Sequence, residues 1–153
     1  MDPQEFDRDL LVVLEKGNIL FPTSHFSDKD DIIRAAKVSV SLAFGASALA
    51  LDKAYEVAGI ILDPDSGVND LKIRTLVFMI RCAYAHGIAE AKWEVRNKFK
   101  RTISIEVHGE TVEIDLRELN GKTFDYEHLG GYRMWFRILD KSISLLSALN
   151  ANR

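Results

Sequence analysis

The chain has a single cysteine, Cys82, among 153 residues. That excludes an internal disulfide and suits a reducing compartment. It also lacks the run of about 20 apolar residues that spans a bilayer. Its longest uncharged stretch is the 14 residues between Lys37 and Asp52, and serines at 39, 41 and 47 interrupt it. The expectation is therefore a buried helix of a soluble protein, with no membrane involved. Residues 1–5 are acidic and polar, unlike a signal peptide, so a cytoplasmic location is expected. There is no repeat, low-complexity tract or linker, and no phosphate-binding glycine loop or Gly-x-Ser-x-Gly. No His, Cys, Asp and Glu spacing matches a zinc site. Asp63-Pro64-Asp65-Ser66-Gly67 lacks the later acidic positions of a calcium loop. Neither metal nor cofactor is expected. The net charge of −3 gives no overall attraction to nucleic acid, so such a role needs a local basic patch.

Apolar residues make up 47 % of the chain, enough for one core, and the length fits a single domain over residues 1–153. Residues 6–16 read as a short first helix, with Phe6, Leu10, Val13 and Leu14 on one face and Gly17-Asn18 ending it. Residues 21–25 read as loop. A long helix follows from Ile32 to Val57, with Ser27 as N-cap and acids at 28, 30 and 31 near its positive end. Its apolar residues extend round most of the circumference. That predicts burial on more than one side, against the rest of the domain or a second subunit. Gly45 is a weak point within it, and Gly59 is a candidate terminator, with extension through Ile60-Ile61-Leu62 up to Asp63-Pro64 as the alternative.

A third helix starts near Asn69 or Asp70, with Leu71, Leu76, Val77, Ile80 and Tyr84 facing inward and Gly87 closing it. Residues 102–116 change from helical to alternating period. A two-residue turn at His108-Gly109 pairs Val107 with Glu110, Ile105 with Val112 and Ile103 with Ile114. Residues 119–131 read as loop or broken helix. A last helix runs from about Tyr132 to Asn150, with Tyr132, Trp135, Phe136, Leu139, Ile143, Leu146 and Leu149 as its stripe. The fold class is mainly α: three or four packed helices with one β-hairpin inserted before the last.

The chemistry concentrates in Arg81-Cys82-Ala83-Tyr84-Ala85-His86, followed by Gly87. A guanidinium clamps a phosphate through two hydrogen bonds, and an imidazole moves a proton near neutral pH. Five residues on a regular helix subtend about 140°, so the pair converges only where the terminal turn leaves α geometry. Arg74 lies seven residues before Arg81 and shares its face. Residues 92–101 carry Lys92, Arg96, Lys98, Lys100 and Arg101, interleaved with Trp93 and Phe99. Such a strip suits a nucleic-acid backbone. The alternative is a solvated edge with the aromatics packed inside. For Arg81 and His86 the alternative is a salt-bridged arginine and a C-terminal histidine favoured by the helix dipole.

Arg81 to His86 resembles the Arg-x4–6-His motif of HEPN domains, small helical bundles that include many ribonucleases of toxin–antitoxin and phage-defence systems. In that family the motif closes a core helix, usually the third, as here. Cys82 departs from the Asn or Asp often found after the arginine. The resemblance implies a homodimer with both motifs facing one cleft, an RNA substrate and an antitoxin-like protein partner. It further implies metal-independent cleavage, with Arg81 and His86 catalytic and with Tyr84, Arg74, Lys92, Arg96, Lys98 and Lys100 contacting RNA. A catalytically silent helical module working by dimerisation or protein contacts is the alternative, and a small-ligand sensor using the basic strip is a third.

Overall fold

A computed structural model describes residues 9–14, 17–21, 29–85, 87 and 90–151. The chain is mainly α, and its described part divides into two compact units, residues 1–40 and 41–153.

The first unit holds an antiparallel hairpin of β1 (Leu10–Leu14) and β2 (Gly17–Phe21), with Leu14 opposite Gly17 and Val12 opposite Ile19. The helix expected over residues 6–16 is therefore replaced by strand from Leu10 onward, and Gly17 opens β2 instead of ending a helix. Leu10-Leu11-Val12-Val13-Leu14 is a contiguous apolar run. Such runs fit either period, and the β-branched valines favour the strand. The proposed cap Ser27, and the loop beyond Phe21, lie outside the described residues.

Helix α1 (Lys29–Val57) crosses from the first unit into the second. The 14-residue uncharged run understated it: by length and composition alone this 29-residue helix is long and apolar enough to cross a membrane, which the expectation of no membrane did not allow for. Its end is a Schellman motif. Gly59 adopts φ 75°, its N–H donates to the Glu56 carbonyl, and the Ile60 N–H donates to the Tyr55 carbonyl. Ile60-Ile61-Leu62 therefore does not extend the helix. Within the second unit α1 buries one face, Phe44, Ala48, Leu51, Asp52 and Tyr55, and exposes Leu42, Leu49 and Val57. Within this one chain only that face is covered, so the rest of the domain does not bury α1 on several sides.

Helix α2 (Asn69–Ala85), the second described α-helix and not the third because the first expected helix is strand, is the core of the second unit, with Leu76, Val77, Met79 and Ile80 fully enclosed. It crosses α1 closely at Gly45: a Cβ there would fall 2.5 Å from Tyr84 Cδ1. The glycine that weakens α1 locally is what admits the tyrosine ring.

Strands β3 (Thr102–Val107) and β4 (Glu110–Asp115) pair in the expected register, Val107 with Glu110, Ile105 with Val112 and Ile103 with Ile114. His108 and Gly109 turn the chain with φ 49° and 78°, as a type I′ turn requires. Ile103, Ile105 and Val107 face the core. The Asn69 side-chain amide donates to the Glu106 carbonyl and accepts from the Glu106 N–H, both at 2.8 Å, tying β3 to the start of α2.

Helix α3 (Tyr132–Ala151) buries Met134, Trp135, Ile138, Ser142 and Leu146, and leaves Phe136 and Ile143 exposed. The expected stripe is thus rotated toward the row 134, 138, 142. Ser142 belongs on that row because both roles of its hydroxyl are filled. It donates to the Ile138 carbonyl at 2.6 Å and accepts from the Tyr55 hydroxyl at 2.8 Å. With two described hairpins and three α-helices, the architecture has one strand pair more than expected.

Candidate functional site

The site is built on the α1–α2 crossing. Residues seven apart on a helix return to nearly the same angle, so Arg74 and Arg81 both face α1. Asp52 meets them there. Arg74 Nη1 hydrogen-bonds to Asp52 Oδ1, and Arg81 Nε lies 3.7 Å from Asp52 Oδ2. The first contact is enclosed, with side-chain exposures of 4 % for Arg74 and 6 % for Asp52; Arg81, at 39 %, forms the rim. At 3.7 Å the outer contact is an ion pair without a hydrogen bond. Arg74 also lies 5.3 Å from the centre of the Tyr55 ring, a cation–π contact.

Beyond Arg81 a cavity of about 270 Å³ opens between the last two turns of α2 and residues 94–99. Arg81, Arg96 and Lys98 line it together with Glu94, over a floor of Phe78, Met79 and Phe99. Three cations and one acid give the lining a net positive charge, suited to an anion and above all to phosphate, which a guanidinium grips bidentately. On its other side Arg81 borders a shallow groove along α1 with Leu49, Ala50, Lys53 and Glu56.

The basic strip acquires its pattern from an extended pairing. The Trp93 N–H donates to the Lys122 carbonyl, the Gly121 N–H to the Trp93 carbonyl and the Phe124 N–H to the Ala91 carbonyl. Extended backbone sends alternate residues to opposite sides. Trp93 and Val95 are therefore core and Lys92 and Arg96 exposed; the chain then turns through a short 3-10 helix, Asn97–Phe99, which buries Phe99 and leaves Lys98 exposed, and Lys100 beyond it is exposed too. The packed-aromatic alternative holds for Trp93 and Phe99.

Of the residues assigned from sequence, the structure brings Arg81, Arg96 and Lys98 to one cavity. Lys92 and Lys100 are exposed but do not line it. Arg74 and Tyr84 are buried and offer no surface to RNA. The Tyr84 ring stacks on Phe44 at 5.6 Å and meets Phe124 edge-on at 5.1 Å. Burial raises its phenol pKa. α2 ends at Ala85, and His86 lies outside the described residues. Cys82 is half-buried and lines the cavity; burial pushes its thiol pKa up, against a hydrogen bond with Arg81. A thiol held protonated is a poor nucleophile. No group of three or more potential metal ligands occurs among the described residues.

Asp52 was not among the expected site residues. Its signal lies in spacing: it stands four residues after Ala48 and one after Leu51, on the face that α1 buries. An acid on an apolar helical face calls for a cationic partner.

Fold and site define a mainly α chain with a cationic cavity beside the end of a core helix. Comparison with family models, curated proteins and solved structures yields no match.

Proposed function

We propose that the chain is a metal-independent endoribonuclease of HEPN type, toxin-like or defence-like, acting in the cytoplasm as a homodimer controlled by an antitoxin-like protein. A ribose 2′-OH attacks the adjacent phosphorus and the P–O5′ bond breaks, leaving a cyclic phosphate and a free 5′-OH. His86 serves as general base or acid for these proton transfers. Arg81 stabilises the charge that builds on the equatorial phosphate oxygens. The observation that carries this reading is the convergence of Arg81, Arg96 and Lys98 on one cavity at the motif end of α2. The test is cleavage of varied RNAs in EDTA by the wild type, His86→Ala and Arg81→Ala. Both substitutions are expected to lower the rate by about 100-fold or more. Equal rates for wild type and His86→Ala, or no cleavage by any form, sinks the assignment.

One observation favours the catalytically silent alternative: Arg81 already has a carboxylate neighbour in Asp52. In that reading both arginines serve the α1–α2 crossing, and the chain acts through protein contacts.

A further inference from the structure

Asp52 is the one buried carboxylate among the described residues of the core. A lone carboxylate is costly to desolvate, and its mate must be close and well placed. Arg74 alone meets that need: it is equally buried and hydrogen-bonds to Oδ1. The arrangement nevertheless goes further. The second oxygen, Oδ2, points to the rim and to Arg81 Nε. Two guanidiniums thus share one carboxylate, while Arg96, Lys98 and Glu94 line the cavity beside Arg81 and Glu56 lines the groove on its other side. Arg74 Nε is also buried without a hydrogen-bond partner, so the interior is not a closed, fully satisfied network.

The two oxygens also differ in what they leave available. Arg74 is committed to the interior. Arg81 approaches Asp52 through Nε, and its other side-chain contact is a hydrogen bond with the Cys82 thiol, which itself lines the cavity. A guanidinium held at Nε keeps the planar Nη edge for a phosphate. We infer that Asp52 is a positioning residue for Arg81: anchored through Arg74, it fixes the Nε end of Arg81 and turns the Nη edge toward the cavity shared with Arg96 and Lys98. Asp52 touches no substrate. Its effect on rate rests on the ribonuclease reading, whereas its effect on Arg81 does not.

Three measurements on the full chain test this. Asp52→Asn keeps the size of the side chain and an oxygen for Arg74 but removes the charge. It is expected to shift the Arg81 Nε–H resonance in ¹⁵N–¹H spectra and to lower kcat for RNA cleavage by about tenfold or more, with KM changed by less than about threefold. Asp52→Glu, which restores the charge, is expected to recover part of kcat. A purely structural role lowers the melting temperature but leaves kcat per folded molecule and the Arg81 resonance unmoved, and that result overturns the inference. Where Asp52→Asn does not fold, the double variant Asp52→Leu/Arg74→Met removes the buried pair together, a replacement that cores tolerate. The same resonance shift is expected there, and its absence is equally fatal. Should the wild type cleave no RNA, the ribonuclease reading fails alone, and the Arg81 resonance still decides the role of Asp52.

Discussion

Arg74 and Arg81 are the same residue type, two turns apart on α2, and both answer to Asp52. One is sealed in the core and the other is more than a third exposed. The difference teaches how a single buried carboxylate serves two purposes. Toward the inside it completes a desolvated pair whose loss leaves a bare charge. Toward the outside it holds, at longer range, a guanidinium that water and anions can reach. The same Coulomb interaction is worth several times more in the first setting than in the second, because the effective dielectric falls with burial. Arg74 therefore belongs to the core, while Arg81 stays open to solvent at its rim.

The largest effect that can break this contrast is Arg74→Met. Removing one member of a buried pair costs about 3–5 kcal/mol. Asp52 retains Arg81 at 3.7 Å, so the lower end of that range is expected. Urea unfolding reads the loss as a lower midpoint with an unchanged slope. Adding Asp52→Leu to Arg74→Met is expected to recover stability, because no unpaired charge then remains inside. If the double variant is as unstable as the single one, burial of the carboxylate is not what makes Arg74 essential.

Gly45→Ala asks a narrower question: whether the closeness of α1 and α2 sets the reach of Asp52. The added methyl would stand 2.5 Å from the Tyr84 ring. Overpacking of this kind costs about 1–3 kcal/mol, against about 1 kcal/mol gained in helix propensity. A net loss of stability is expected, together with a shift of the Arg81 Nε–H resonance as the helices part. Stabilisation by the alanine would show that the crossing is slack.

Much of this fold was legible because local pattern and packing agree. In β3 and β4 the alternation puts Ile103, Ile105 and Ile114 on one side, and any one-residue slip would bury glutamate, so register followed from the residues alone. β1 was not legible, since five successive apolar residues carry no period. The α3 stripe was misread because the buried row includes Ser142, whose suitability depends on Tyr55, 87 residues earlier. The site divides the same way. Arg81 stood out by motif, but its union with Arg96 and Lys98 needs the pairing of residues 91–93 with 121–124 to be in place. Asp52 stayed hidden because its meaning lies on another helix.

The smallest stability effect is the most discriminating. Arg81→Ala removes a cation that is 39 % exposed and 3.7 Å from its partner. Exposed pairs of this kind contribute about 0–1 kcal/mol. Asp52 keeps its inner hydrogen bond to Arg74, so no bare charge is left behind. The urea midpoint is expected to stay close to that of the wild type, while cleavage in EDTA and retention of single-stranded RNA on a filter both fall. That combination is the signature of a surface residue used for chemistry. If instead Arg81→Ala destabilises the protein as severely as Arg74→Met, the two arginines are equivalent struts. Asp52 is then shared for structure alone, and the cavity loses the residue that made it a candidate site.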